Sequence, residues 1–306
     1  MCRLYNCYVL DCQSPQESHI DVVGNYSTGF KGTKIITLPL SNIVICNFIS
    51  YLFEKSFSPG TITSHVTAIS YIHKILNIAD ASNSFIVRKM LKGCSVNRQS
   101  CDSRLPITKD MLCRMIHNLD KCIQDMAISS LLKAIFLLAF NALLRLGEIL
   151  IRSSKDIHRV IQFQDTYFSD YDSCGFPKNL TITLRHFKNI KNNQPVTITL
   201  ITNAQEPNLC PVQAMYTYVQ MFKLRSGPLF QFQGGSPIPY AFVTNKMTDL
   251  LKFIGINPSF YKGHSFRIGG ATHLANKGFS EQYIRKIGRW NSDAVQKYIR
   301  IPTFHI

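Results

Sequence analysis

Five side chains spread along a chain of 306 residues share a chemistry that none of them declares alone. In LLRLGE, Arg145 leaves a strongly apolar stretch, and Glu148 follows one helical turn later on the same face. An arginine in such surroundings needs a partner, because an unpaired buried charge is expensive; taken alone the pair is an ordinary ion pair at a domain surface. In GHSFRIGGATHLA, His264 and Arg267 are also three apart, so a helix points both the same way. Two cationic groups side by side repel unless something anionic sits between them; alone, they read as a solvated histidine beside a surface arginine. Lys188, with Lys191 three further on, opens a turn, where a lysine is ordinarily just solvated. Tyr298, in IGRWNSDAVQKYIR, falls on a short helix that Ser292 or Asn291 can cap and Pro302 ends; with Val295 three residues before it, the ring by itself reads as core packing.

Taken together the same residues mean more. Two arginines, a histidine and a lysine are what a phosphodiester under attack requires, since phosphoryl transfer is catalysed mostly by positioning and by stabilising charge on the non-bridging oxygens. A tyrosine adds a nucleophile whose covalent adduct splits a strand exchange into two reversible steps.

The elements that must position these groups can be read from periodicity. Residues 1–34 are polar with weak periodicity and are expected to be poorly ordered, or the remnant of an element cut short. From residue 38 the pattern is helical: Ile45, Phe48, Ile49 and Leu52 recur at steps of three and four behind a capping Ser41. Ser58-Pro59-Gly60 breaks the chain, and Ile62, Val66, Ile69, Ile72 and Ile75 form a second stripe. A third helix, SFIVRKMLKGC, is expected to end at Gly93. A polar, basic stretch closed by Pro106 and Thr108 marks a domain boundary. Beyond it, helices are expected over 109–119 and 125–151. NLTITLRHF and PVTITLI then alternate with a stride of two around KNIKNNQ, which reads as a β-hairpin carrying Lys188 in its turn. Helices resume from Pro211 through Leu224 and continue to the end, and Gly269, Gly270, Ala271 and Ala275 allow the HSFR helix to pack closely on its neighbours.

The bulk numbers bound the partners. Lys and Arg total 34 against 18 Asp and Glu, a formal net charge of +16, and such a field attracts polyanions, with nucleic acid the commonest case. The ten cysteines include no C-x-x-C pair and no Cys/His cluster at zinc-finger spacing, which fits reduced thiols. Cys2, Cys7 and Cys12, followed by His19, could hold a metal only irregularly, and chance explains that spacing better. Asp165, Asp170 and Asp172 are the only close acidic cluster and have no histidine at ligand spacing, so a metal-dependent nuclease has little support. The longest apolar run, AIFLLAFNALL, is far short of the roughly 20 residues a membrane span needs. No secretory signal is expected.

The order of the pieces, LLRLGE, a hairpin lysine, HSFR, GRW and a late tyrosine, resembles the tyrosine recombinase (phage integrase) family. More closely, LPIT, LLAFNALLRLGE, HSFRIGGAT and IGRWNSDAVQKYIR look like its eukaryotic branch, found in Crypton and DIRS-type mobile elements, and the resemblance covers residues 38–300. It implies a mainly α fold with a small antiparallel β-sheet (α+β) that closes on double-stranded DNA as a C-shaped clamp. A helical, SAM-like core-binding domain would span 35–96, a linker 97–107 and the catalytic domain 108–306. Arg145 and Arg267 match the two arginines that bind the scissile phosphate. His264 matches an acid/base or phosphate contact, and Lys188 the lysine that protonates the leaving 5′ oxygen. Glu148 matches the acidic support of the first arginine, and Tyr298 the nucleophile that forms a 3′-phosphotyrosine. No metal or other cofactor is implied. DNA contacts are expected from Arg88, Lys89, Lys92, Arg98 and Arg104, with assembly as a dimer or tetramer on DNA in the nucleus.

Two departures stand out. The family usually places His or Trp nine residues before the tyrosine; here that slot holds Arg289, with Trp290 one later. Either Arg289 donates to the phosphate or Trp290 takes the role after a one-residue shift, with Trp290 the preferred candidate. The first helix of the core-binding domain is hard to find, and only eight residues follow Tyr298, so the segment that many members pass to a neighbouring protomer is minimal. These features motivate a rival expectation: a domesticated or decayed copy that binds DNA without cleaving it.

Overall fold

In the computed structural model, residues 9–10, 19–21, 36–98, 104–187, 194–291 and 293–300 are described. The expectation of poor order or truncation for 1–34, and the cysteine spacing within it, lie largely outside them. The described pieces, β1 (Val9–Leu10), β2 (His19–Asp21) and β3 (Ile36–Thr37), pair as a small antiparallel sheet. The chain divides into two compact units, Met1–Asp102 and Ser103–Ile306.

The first unit is built on three helices. Ser41 accepts from the Val44 amide and starts α1 (Asn42–Glu54). Ser58 accepts from Thr61 and, with Pro59 in the first turn, starts α2 (Pro59–Ile75). The third, α3 (Phe85–Asn97), runs through Gly93 rather than ending there. Ile45, Ile49, Leu52, Ile62, Val66, Ile69 and Val87 form the core. The expected α2 stripe is too long by one turn: Ile75 is exposed, and His73 is buried instead. Its ring fits there because both nitrogens are used, Nε2 accepting from the Leu40 amide at 2.9 Å and Nδ1 lying 2.8 Å from the Ile69 carbonyl. Arg88, Lys89 and Lys92 stand exposed on α3. Arg98 is half-buried, its guanidinium 4.0 Å above the Phe53 ring.

The second unit packs helices around α5 (Met126–Asn141), in which residues 134–140 are all buried. Thr108 caps α4 (Lys109–Cys122) and Asp125 caps α5. The continuous helix expected to reach residue 151 does not form. Leu143 takes the left-handed conformation (φ 48°), which ends α5, and the chain restarts as a single turn, α6 (Leu146–Ile149), with Arg145 at its N-cap. Three antiparallel strands follow in the order β4 (Thr166–Tyr171), β5 (Pro177–Leu184) and β6 (Val196–Ile201). The hairpin of β5 and β6 pairs Leu184 with Val196 and Asn179 with Ile201. β4 has no counterpart among the expected elements, and the three acidic residues there make structural bonds, Asp170 accepting from the Asn179 side-chain amide. Asp165 is buried and pairs with Arg185 at 2.6 Å, and Asp172 accepts the Cys174 and Phe176 amides of the β4–β5 turn. Then come α7 (Pro211–Phe222), α8 (Tyr240–Phe253), α9 (Ser265–Asn276) and α10 (Glu281–Gly288), and a 3-10 turn, Asp293–Lys297. Among the described residues no helix is long and apolar enough to cross a membrane.

Candidate active site

The break at Leu143 organises the site. An apolar residue with positive φ is uncommon and costs about 1 kcal/mol or more, so surrounding contacts must hold it. Its carbonyl receives two guanidinium groups: Nη1 of Arg267, and Nη2 of Arg289 at 3.3 Å. Two residues on, Arg145 is held by its own helix turn, since its amide donates to Oε2 of Glu148 at 2.9 Å and its Nη1 to Oε1 at 2.8 Å. Oε2 also receives Nη2 of Arg289 at 2.8 Å. One buried carboxylate therefore serves two guanidinium groups, and the third, Arg267, is supported by the Leu143 and Gly288 carbonyls and by ring faces.

Arg267 lies on the first turns of α9 and is wholly buried. Its guanidinium sits 4.2 Å from the Trp290 ring centroid and 5.6 Å from that of Tyr298. Burial, followed by the charges of Arg145 and Arg289, pulls its pKa well below the ordinary arginine value. His264 caps α9 rather than riding on it, so the expected repulsion is met differently: the imidazole gives up its charge. Burial, then Arg104, Arg145 and Arg267, push its pKa down to about 4.

The RW pair is divided by backbone geometry. Arg289 takes the left-handed conformation (φ 57°) at the end of α10, a place usually given to glycine, and its side chain turns inward to Glu148. Trp290 is buried too, its ring 4.8 Å from that of Tyr298, while Arg285 holds the carbonyls of Trp290 and Asn291. Gly288 makes room for the indole, because a Cβ there would overlap the ring. The Tyr298 ring also lies 6.5 Å from that of His264. Among the buried side-chain nitrogens, Nε of Arg267, Nε of Arg289 and Nε1 of Trp290 have no hydrogen-bond acceptor, and each such donor costs about 1–3 kcal/mol.

Arg145, Glu148, His264, Arg267, Arg289, Trp290 and Tyr298 are thus brought together. Lys188 lies outside the described residues; Phe187, the last described residue before it, lines a cleft of about 530 Å³ that opens on Arg145 and His264. The same cleft is walled by Arg152, Arg159, His186 and Tyr240, which the sequence did not single out. Arg152 stacks 4.6 Å over the Tyr240 ring, and only the fold makes neighbours of residues so far apart. Among the described residues, no group of three His, Cys, Asp or Glu is arranged to hold a metal ion.

No family model matches the chain, and no curated protein matches it. Solved structures do. The XerH site-specific recombinase bound to difH substrate, in a pre-cleavage complex, aligns with a TM-score of 0.51 at 13% identity over 86% of this chain and 68% of that one. Its post-cleavage complex with palindromic difH gives 0.55 at 14%, over 85% and 69%. The Tn1549 transposon integrase in complex with transposon right end DNA gives 0.56 at 14%, over 90% and 85%. The likeness establishes the fold: a mostly helical chain with a small three-stranded antiparallel sheet, matching the core-binding and catalytic domains of tyrosine recombinases.

Proposed function

We propose that this chain is a DNA strand-exchange enzyme, a recombinase or integrase that cleaves one phosphodiester per protomer through a 3′-phosphotyrosyl intermediate. The observation that carries the reading is the charge imbalance of the site. Three guanidinium groups surround one carboxylate, and a tyrosine ring lies against the fully buried arginine. An excess of buried positive charge with donors left over suits an oxyanion such as a phosphate diester.

In this reading the Tyr298 hydroxyl attacks phosphorus, the bond to the 5′ oxygen breaks, and the protein is left joined to the 3′ phosphate. Arg145, Arg267 and the Trp290 indole N–H stabilise charge on the non-bridging oxygens. His264, neutral before DNA binds, takes the phenol proton, and Lys188 supplies the proton that the 5′ oxygen needs. The covalent bond conserves the phosphodiester energy, so religation is the same step reversed, with no metal or nucleotide required. Double-stranded DNA is the partner; the solved structures of this fold cited above were obtained with DNA, and the net charge of +16 supports the assignment. The same proposal includes a dimer or tetramer on DNA and, from the resemblance to the Crypton and DIRS branch, origin in a mobile element acting in the nucleus.

A nicked duplex that loses its 5′ product traps the intermediate. Wild type should give a denaturant-stable protein–DNA adduct that forms in the presence of chelator and is absent in Tyr298→Phe. Wild-type protein that binds the duplex well and gives no adduct would replace this reading with that of a DNA-binding protein without catalysis.

A further inference from the structure

Tyr298 directly follows a five-residue 3-10 turn. Its amide donates to the Val295 carbonyl at 2.8 Å, which fixes the turn locally but not its place against α9. Apolar packing of Val295 with Ala271 brings the turn to α9, and a polar side chain of α9 adds a directional contact. Oγ1 of Thr272 lies 3.2 Å from the Tyr298 carbonyl oxygen and receives the Arg300 amide at 3.0 Å. One hydroxyl thus spans the main chain on both sides of residue 299. Thr272 is buried and lies five residues after Arg267 on the same helix. The nucleophile's backbone and the buried guanidinium are therefore registered against one another through a single rigid element.

The hydroxyl also has a second use. It owns one hydrogen and has two carbonyls in reach, Tyr298 at 3.2 Å and Ile268, one turn back on α9, at 2.9 Å. Donation to Tyr298 seats the segment, while donation to Ile268 is the ordinary back-bond of a helical threonine and leaves the Tyr298 carbonyl free. Each arrangement makes one donated bond and keeps the accepted Arg300 amide, so neither is overwhelmingly favoured.

We propose that Thr272 is a positioning residue for the nucleophile. Its hydroxyl holds the Tyr298 segment in register with Arg267, through the Arg300 amide that it accepts and the Tyr298 carbonyl within its reach. The inference rests on the reading of Tyr298 as the nucleophile.

The test compares Thr272→Val, which keeps the shape and deletes the hydroxyl, with Thr272→Ser, which restores it, and Thr272→Ala as a control for packing. Two readouts are needed. One is the rate of adduct formation on the nicked duplex beside equilibrium binding to the same DNA. The other is acrylamide quenching of Trp290, the only tryptophan in the chain, whose ring lies 4.8 Å from that of Tyr298. Val and Ala should lower the adduct rate about tenfold with binding changed less than about twofold, as expected for one net hydrogen bond. Both should expose Trp290 to quencher, and Ser should behave as wild type in both readouts. Val cleaving at the wild-type rate with unchanged quenching, or Ser behaving like Val, overturns the proposal. If wild type forms no adduct, the catalytic reading fails, and the quenching series still decides whether Thr272 seats the segment.

Discussion

In Met1–Asp102, Arg88, Lys89 and Lys92 stand on an exposed face of α3, while in Ser103–Ile306 Arg267 and Arg289 are 0% and 6% exposed. The same charged groups do different work in the two settings. Exposed lysines and arginines attract a polyanion at a distance, remain hydrated and are screened within about 8 Å at physiological salt. They hold no geometry. The buried pair has lost its water and is kept charged by backbone carbonyls, ring faces and one carboxylate, so its donors point where the fold puts them. In the proposed reading, attraction and orientation fall to different parts of the chain, and each can be removed alone.

The largest effect should follow loss of the shared carboxylate. Glu148→Gln leaves three guanidinium groups without a counter-charge, and urea unfolding should show a loss of about 3–5 kcal/mol, the range for a broken buried pair. Arg289→Met should be milder, about 1–2 kcal/mol, because Glu148 keeps Arg145 and Arg267 is relieved of a like charge. If the two substitutions cost the same, the cluster is not cation-rich in solution. The third prediction concerns pH. The pKa of His264, about 4, lies below its ordinary 6.5, so the unfolded chain binds the proton first as pH falls. Stability is then fullest above about 6.5 and is lost progressively down to about 4. His273, lowered by burial, Lys277 and Lys109, acts in the same sense. His264→Gln should flatten that decline in thermal unfolding midpoints, and an unchanged profile would assign it to other groups. The smallest effect on stability belongs to α3, where Arg88→Gln with Lys92→Gln should change unfolding by less than about 0.5 kcal/mol. Their effect should appear in DNA binding, whose salt dependence would lose a slope of about 0.9 for each phosphate contact removed.

The sequence told much about which residues meet and less about how. Apolar stripes marked α1 and α2, with a capping Ser41 before the first and a Ser58-Pro59-Gly60 break before the second, and a stride of two marked β5 and β6, because those signals are local and periodic. The break at Leu143 had no such signal: the apolar run continues through it, and nothing but tertiary contact selects a left-handed leucine. β4 was hidden because TYFSDY mixes polar and apolar residues without alternation. The turn of the Arg289 side chain toward Glu148 depends on one backbone angle, again at a residue that is not glycine. Thr272 was invisible for a different reason, since a hydroxyl inside a helix is ordinary until the fold brings another main chain beside it.

A Cβ at Gly269 would overlap the carbonyl oxygen of Ile107, and one at Gly270 that of Phe140, so α9 rests directly on peptide groups. The helix that carries Arg267 is therefore located by atoms that nearly every amino acid supplies alike. Apolar neighbours can be exchanged without shifting the guanidinium, which fits a shared fold at 14% identity. Tolerance ends at the two glycines, where one added methyl group would lift the whole lever and carry the arginine away from the Leu143 and Gly288 carbonyls.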